Sequence, residues 1–247
     1  MLAHPVALVT GAARRIGADI ARHLHAEGYD VVIHYRHSSA AAQSLLAELL
    51  DRRANSALAL AADLSSARAC GDLIEQAVAW RGRLDALINN ASSFYRTPVA
   101  TVDETTWHEL IDGNLKAAFF CSQQAAPALR AARGSIVNLC DVHTERPLKG
   151  FSVYTAAKAG MVCLTQSLAL ELAPAVRVNA VSPGSLNWPE DDTFSPEERA
   201  SAEAAIPLGR IGQGEDIARA VYFLLRGNDY ITGHILKVDG GASLVSP

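Results

Sequence analysis

The sequence predicts an α/β fold: a single doubly wound domain with a mainly parallel seven-stranded sheet flanked by helices. Three observations predict it. Short, uninterrupted Val/Ile/Leu runs recur along the chain, as strands do when both faces of a sheet are covered. Stretches with apolar residues at helical spacing alternate with them, which implies parallel βαβ units with right-handed crossovers. No linker, low-complexity run or internal repeat divides the chain, so residues 1–247 are expected to form one domain.

Each element has its own signal. Residues 6–10 (Val-Ala-Leu-Val-Thr) form the first strand, and Gly11 follows at once. Ile16, Ile20 and Leu24 then recur at helical spacing up to Gly28, which completes a strand, glycine turn and helix with a glycine stop. Residues 30–35 read as the second strand, 38–53 as a helix, 56–61 as the third strand, 66–80 as a helix and 84–89 as the fourth strand. Residues 104–133 read as a long helix broken near Gly113. The fifth strand falls at 134–140, a helix at 152–172, the sixth strand at 176–181, a helix at 214–226 and the last strand at 234–238. Residues 184–206 are too long and too polar for a simple connection. They follow a strand end, where ligands of such folds sit, so they are expected to be a substrate-binding lid.

Composition excludes several classes. About half the residues are apolar and a fifth charged, with a formal net charge of −4, which gives no reason to expect nucleic acid or an anionic membrane as partner. Cys70, Cys121, Cys140 and Cys163 are scattered with no Cys-x-x-Cys pair and read as small buried hydrophobes in a reducing compartment. No basic region followed by a long apolar run opens the chain, so neither a signal peptide nor a membrane span is expected, and a cytoplasmic location is. The eight histidines show no ligand spacing, and His23 and His25 face apart on a helix, so no metal is expected.

The turn Thr10-Gly11-Ala12-Ala13-Arg14-Arg15-Ile16-Gly17 joins the first strand to the first helix. Gly11 permits a tight bend, Gly17 lets helix approach strand, and the helix N-terminus offers N–H groups to a phosphate, which points to a dinucleotide. Arg14 and Arg15 lie where a phosphate would sit and suit a pyrophosphate or an anionic substrate. The second strand ends in His34-Tyr35-Arg36-His37-Ser38. An acidic residue there would bind a ribose 2′-hydroxyl and repel a 2′-phosphate. None is present, Asp30 being at the other end, and Arg36 with His37 and Ser38 suits the extra phosphate of NADPH/NADP+. Farther on, Tyr154 and Lys158 are four apart. In a helix they share a face, and an ammonium beside a phenol is expected to lower its pKa toward working pH. That makes a proton donor for reductions, although a surface Tyr and Lys would have the same spacing.

Taken together, these motifs resemble the short-chain dehydrogenase/reductase family, a Rossmann-fold family, and they run the length of the chain in its order. Besides the glycine turn they comprise Asp63-Leu64, Asn89-Asn90-Ala91, Asn114, Tyr154-x-x-x-Lys158, Pro183-Gly184 and Val238-Asp239-Gly240-Gly241. The resemblance implies that Asp63 and Leu64 meet the adenine, and that Asn90, Ala91 and Ser92 line the cofactor. It implies that Pro183, Gly184 and Ser185 also contact the cofactor, and that Lys158 binds the nicotinamide ribose. Asn114 would hold a kinked helix and a water leading to Lys158.

Two departures narrow the chemistry. Arg15 replaces the middle glycine of the turn, and Asp141 stands where the family usually has a serine that polarises a carbonyl. A carboxylate would repel the alkoxide formed when a ketone accepts hydride, whereas it suits proton delivery to the nitrogen of a C=N bond. A capping role for Asp141 in its loop is the plainer alternative. Both departures resemble the pteridine reductase branch, as do His34-Tyr35 with basic residues and Ser38, Asn-Asn-Ala-Ser-Ser-Phe at 89–94, and Tyr-Ile-Thr-Gly at 230–233. In that branch the Arg often comes one place later than Arg36.

By this resemblance Phe94, poorly placed for the core, would stack on a pterin, Ser92 and Arg15 would bind pterin and phosphate, and Asp141 with Tyr154 would relay the proton. Trp188, Glu190 and Asp191 would be lid contacts. The expected activity is NADPH-dependent reduction of a C=N bond in a dihydropterin or dihydrofolate by a homotetramer. Reduction of a 3-oxoacyl thioester or another ketone is the alternative, and an inactive NADP-sensing protein a distant third.

Overall fold

The computed structural model describes residues 4–186 and 195–245. Trp188, Glu190 and Asp191 lie outside the described residues. Strands β1 (Val6–Val9), β2 (Asp30–Tyr35), β3 (Ala57–Ala61), β4 (Ala86–Asn89), β5 (Ser135–Leu139), β6 (Arg177–Pro183) and β7 (Ile235–Val238) form one seven-stranded sheet in the order β3-β2-β1-β4-β5-β6-β7. Every pairing is parallel. The order reverses between β1 and β4, which opens a crevice at their carboxyl ends.

The strands are continuously apolar because both faces are covered. Helices α1 (Arg15–Ala26) and α2 (Ser39–Arg52) pack on one face with α8 (Gly214–Tyr222), burying Ile20, Leu24, Leu45, Leu49, Ile217 and Val221 against Val9, Ile33 and Ile88. Helices α3 (Ala67–Arg81), α5 (Ala117–Ala132) and α6 (Ser152–Leu172) cover the other face, where Leu73, Leu129 and Leu168 meet Leu8, Leu87 and Ile136. Alternate residues of β1 thus serve opposite layers, and each such Leu or Ile contributes about 1.5–3 kcal/mol by leaving water.

Helix ends follow sequence cues. Ser66 accepts from the Ala69 N–H at the start of α3, and Gly82 ends it in the left-handed region at φ 70°. The break expected near Gly113 is a π-helical turn, Asp112–Lys116, between α4 (Glu104–Ile111) and α5. A second π turn, Phe223–Gly227, follows α8. Within 184–206 the structure contains a helix, α7 (Pro196–Ala204), rather than loop alone. Ser195 Oγ accepts from the Glu198 N–H and Glu198 Oε2 from the Ser195 N–H, with Pro196 in the first turn. This start signal was present but is easily overlooked because the helix carries no apolar stripe. Cys163 is also exposed, unlike the other three cysteines, because it sits on an outer face of α6. Among the described residues no helix is long and apolar enough to cross a membrane.

Candidate active site

The crevice is built around Thr10. Its hydroxyl donates to the Ile88 carbonyl and accepts from the N–H groups of Asn90 and Ala91, which ties β1 to β4. The Asn90 amide donates to the carbonyls of Thr10 and Gly11. Gly11 adopts φ 63°, and a Cβ on Gly17 would lie 2.3 Å from the Gly11 carbonyl oxygen. A side chain there is excluded, so helix and turn touch backbone to backbone. No side chain caps α1, whose N-terminal residue Arg15 has φ 52°. The turn therefore keeps the left-handed bend that glycine usually takes, at a cost of about 1 kcal/mol for a residue with a Cβ. Arg14 is exposed, and Ile16 packs against the core.

At the end of β2, Tyr35 is half-buried while Arg36 and His37 are exposed, followed by Ser38 before α2. Asp30 is buried at the opposite end and pairs with Arg53 at 3.3 Å and Arg81 at 2.9 Å, so it is unavailable to a ribose. Asp63 is exposed beside this strand end while its neighbour Leu64 is buried. The Ser65 N–H, hydrogen-bonded to the Asp63 carboxylate, holds that group below its usual pKa, with Arg36 and His37 adding positive charge nearby. Gly11, His34, Arg36, Asp63, Ala91 and Ser92 share one groove of about 460 Å³. A larger hollow of about 730 Å³ lies far from this chemistry, between the carboxyl-terminal halves of α3 and α5.

A nicotinamide dinucleotide fits these residues. The backbone cradle has no room for a Cβ, the N–H groups of α1 have no capping side chain, and the groove continues from the turn to Asp63.

The catalytic candidates converge beyond the groove. The π turn turns Asn114 inward, where it is 2% exposed. Its amide donates to the carbonyls of Ser93 and Leu110, and its oxygen accepts from the Ser92 hydroxyl at 2.6 Å. Ser92, expected to meet a pterin, thus has its own proton directed to Asn114. Helix α6 buries Tyr154 and Lys158 on one face, as their spacing predicted. Tyr154 donates its hydroxyl to Asp141 Oδ2 at 2.6 Å. Asp141 Oδ1 accepts from the His143 N–H at 2.8 Å, so the capping role and the pairing with Tyr154 hold together, one on each oxygen.

The electrostatics correct the expectation for Tyr154. Its phenol is pushed well above its usual pKa, first by burial and then by the Asp141 charge and hydrogen bond. Lys158 does not reverse this. Its ammonium donates to the Leu139 carbonyl at 2.8 Å and lies 5.8 Å from the Tyr154 ring centroid. Burial pulls the Lys158 pKa down, with Cys140 and Asp141 acting the other way. Tyr154 is thus held as a neutral acid.

Phe94, expected to be poorly placed for the core, packs at the edge of one of its clusters. It stacks on the fully buried Phe151 with centroids 4.6 Å apart and meets Tyr154 edge-on at 4.8 Å, forming the rim of a small aromatic cluster. Composition of the 89–94 turn did not reveal Phe151, which comes from the loop before α6 and is 57 positions away. At the other side, Pro183 ends β6, the Gly184 N–H donates to the Val238 carbonyl, and the Ser185 carbonyl accepts from the Gly212 N–H. Arg96 joins the Phe94 segment to α7 through Glu198 at 3.1 Å. The sequence reading assigned no role to Thr10, Phe151 or Arg96. Only Thr10, within the glycine motif, carried a local signal.

A family model described as enoyl-(acyl carrier protein) reductase matches residues 11–243. Pteridine reductase 1 of Leishmania tarentolae is 40% identical, with 97% of this chain and 96% of that one covered. A 3-oxoacyl-(acyl-carrier-protein) reductase FabG of Staphylococcus aureus is 39% identical, covering 95% and 96%. The 3beta-hydroxysteroid dehydrogenase 1 of Eggerthella lenta is 36% identical, covering 96% and 93%. These matches cover nearly the whole of each chain, and the relatives' names are all those of oxidoreductases. The protein is therefore an oxidoreductase of the NAD(P)H-using kind, and it belongs to the short-chain dehydrogenase/reductase family.

Proposed function

We propose that this enzyme is an NADPH-dependent pteridine reductase that reduces a C=N bond of a dihydropterin or dihydrofolate. The observation that carries this reading is the 2.6 Å hydrogen bond between the Tyr154 hydroxyl and Asp141. Pteridine and 3-oxoacyl reductases are almost equally similar to the chain, so overall identity does not choose between them. Asp141 does. A carboxylate about 4 Å from a developing alkoxide, at an effective dielectric of about 20, opposes it by ~4 kcal/mol, roughly a thousandfold in rate. A ring nitrogen that gains electrons as its neighbouring carbon is reduced needs a proton, and the Tyr154–Asp141 pair holds one.

The reduced nicotinamide, when bound, supplies the hydride. Gly11, Arg14, Arg15, Ile16 and Gly17 would hold the pyrophosphate, and Tyr35, Arg36, His37 and Ser38 the 2′-phosphate end. Asp63 and Leu64 would bound the adenine, with Asn90, Ala91, Ser92, Pro183, Gly184 and Ser185 along the remainder. Phe94, backed by Phe151, would offer a stacking surface to the flat ring. Tyr154 would release its proton to the ring nitrogen, and the Lys158 ammonium would stabilise the anion left on the Tyr154–Asp141 pair. Asn114 would keep the route to Lys158 open. Helix α7 would act as a lid joined to the Phe94 segment by Arg96 and Glu198, and we place the enzyme in the cytoplasm as a homotetramer.

The test is NADPH oxidation with dihydrobiopterin, dihydromonapterin and dihydrofolate against a panel of 3-oxoacyl thioesters and ketones. Turnover of dihydropterins alone supports the reading. Turnover confined to the ketones replaces it with a carbonyl reductase like the 3-oxoacyl reductases that are 39% identical.

A further inference from the structure

His34 ends the apolar run of β2 and is 2% exposed. Its ring bridges two parts of the groove that are 51 residues apart in sequence. The Gly11 N–H donates to Nδ1 at 3.0 Å, and Nε2 lies 3.1 Å from the Ala62 carbonyl oxygen. A backbone N–H can only donate and a carbonyl can only accept, so the ring is neutral with its proton on Nε2. The backbone of the same residue takes the next turn amide, as the Ala12 N–H donates to the His34 carbonyl at 2.8 Å. His34 therefore satisfies two successive N–H groups of the glycine turn. Its other ring nitrogen holds the residue immediately before Asp63.

We infer that His34 is a positioning residue for the cofactor: it sets the spacing between the glycine turn and the Asp63 loop, and only its neutral form does so. This rests on the reading that the groove takes a nicotinamide dinucleotide. A protonated ring would present a second N–H to the Gly11 N–H, two donors facing each other at a part-buried contact. The turn would then have to move, and Gly11 has little room to do so, since a Cβ on it would already lie 2.9 Å from the Ala91 Cα. Burial favours the neutral ring and lowers its pKa, while the hydrogen bond to the Ala62 carbonyl and then the charge of Asp63 act the other way. Glu109 and Asp112, with His108, line the same groove, and the two carboxylates, like Asp63, favour the protonated ring, whereas Arg36 beyond β2 and Arg14 and Arg15 in the turn oppose it; His37 also lies beyond β2.

The experiment is NADPH binding, followed by protein fluorescence between pH 5 and 8, for the wild type, His34→Gln and His34→Leu, with Tm recorded for each. Glutamine can accept from Gly11 and donate to Ala62 without titrating. We expect equal Kd values for wild type and H34Q at pH 7.5. Below the His34 pKa the wild-type Kd should rise up to about tenfold per pH unit relative to H34Q, as for one linked proton. Titration of the ligand phosphate is common to both proteins and cancels in the ratio. H34L should bind about tenfold or more weakly at pH 7.5, as expected when a buried amide loses its partner. A ratio that stays flat with pH, or an H34L protein that folds and binds like wild type, overturns the inference while leaving the cofactor reading intact. If H34L does not fold, the pH dependence of the H34Q ratio decides. A folded wild type that binds neither NADPH nor NADH removes the cofactor reading, and this inference with it.

Discussion

Asp141 uses its two oxygens differently: one fixes the loop through the His143 N–H, and the other receives the Tyr154 hydroxyl. Asp141→Ser keeps a hydrogen-bonding group in the loop but removes the charge that, after burial, raises the pKa of the phenol. Pterin reduction in this variant should fall by about two orders of magnitude or more, with NADPH affinity unchanged; turnover at the wild-type rate would remove Asp141 from the relay. The neighbouring charges also set the alkaline limit. The Tyr154 pKa is raised, so the phenol stays protonated through the working range. The Lys158 pKa is lowered from 10.5 by burial, so the ammonium is the group lost as pH rises. We expect kcat/KM to hold below the Lys158 pKa and to fall above it, with the limb below pH 10.5. A limb that persists unchanged in Tyr154→Phe, measured on its residual activity, would assign it to Lys158 and not to the phenol.

At the scale of elements, α7 shows how a short polar helix is placed. Glu198 closes the capping box with Ser195 and also pairs with Arg96 on the segment that carries Phe94. Glu198→Ala removes both contacts, and the lid should close less often over substrate. A KM raised a few-fold for the pterin, with NADPH Kd unchanged, is the expected result in steady-state kinetics; equal KM values would detach α7 from the substrate. The π turn was legible only as a weakness near Gly113. What the turn does, aiming Asn114 at Ser92, Ser93 and Leu110, depends on where α4 and the loop after β4 come to lie. The outline of the glycine turn could be read because its geometry is local, while its ties through Thr10 and His34 could not. A strand, a glycine, a second glycine six positions on and a helix leave little else to build.

For the whole molecule, α5 and α6 pack on the same face of the sheet and still expose Phe119 and Leu170, at 38% and 83%. Phe223 and Tyr230, beyond α8, are 44% and 97% exposed. Large apolar side chains left in water on helices that are otherwise well packed favour a protein partner. We expect light scattering after size-exclusion chromatography to give the mass of a tetramer, and Leu170→Asp to shift it to a smaller species. A monomer at micromolar concentration would count against the assembly.

The sequence by itself determined the βαβ alternation, the glycine turn, the shared face of Tyr154 and Lys158, and the absence of an acidic residue after β2. All of these are set by spacing within a strand or one or two helical turns, where backbone geometry leaves few choices. The tertiary structure decided what those residues are chemically. Tyr154 is a neutral acid because the fold buries it and brings Asp141 to its hydroxyl from 13 residues away. Phe94 has a stacking partner because the fold brings Phe151 against it, and His34 is a strut because β1 and β3 flank β2. Burial and long-range contacts move proton affinities far more than neighbouring residues in sequence do, and they exist only once the sheet has brought its strand ends together.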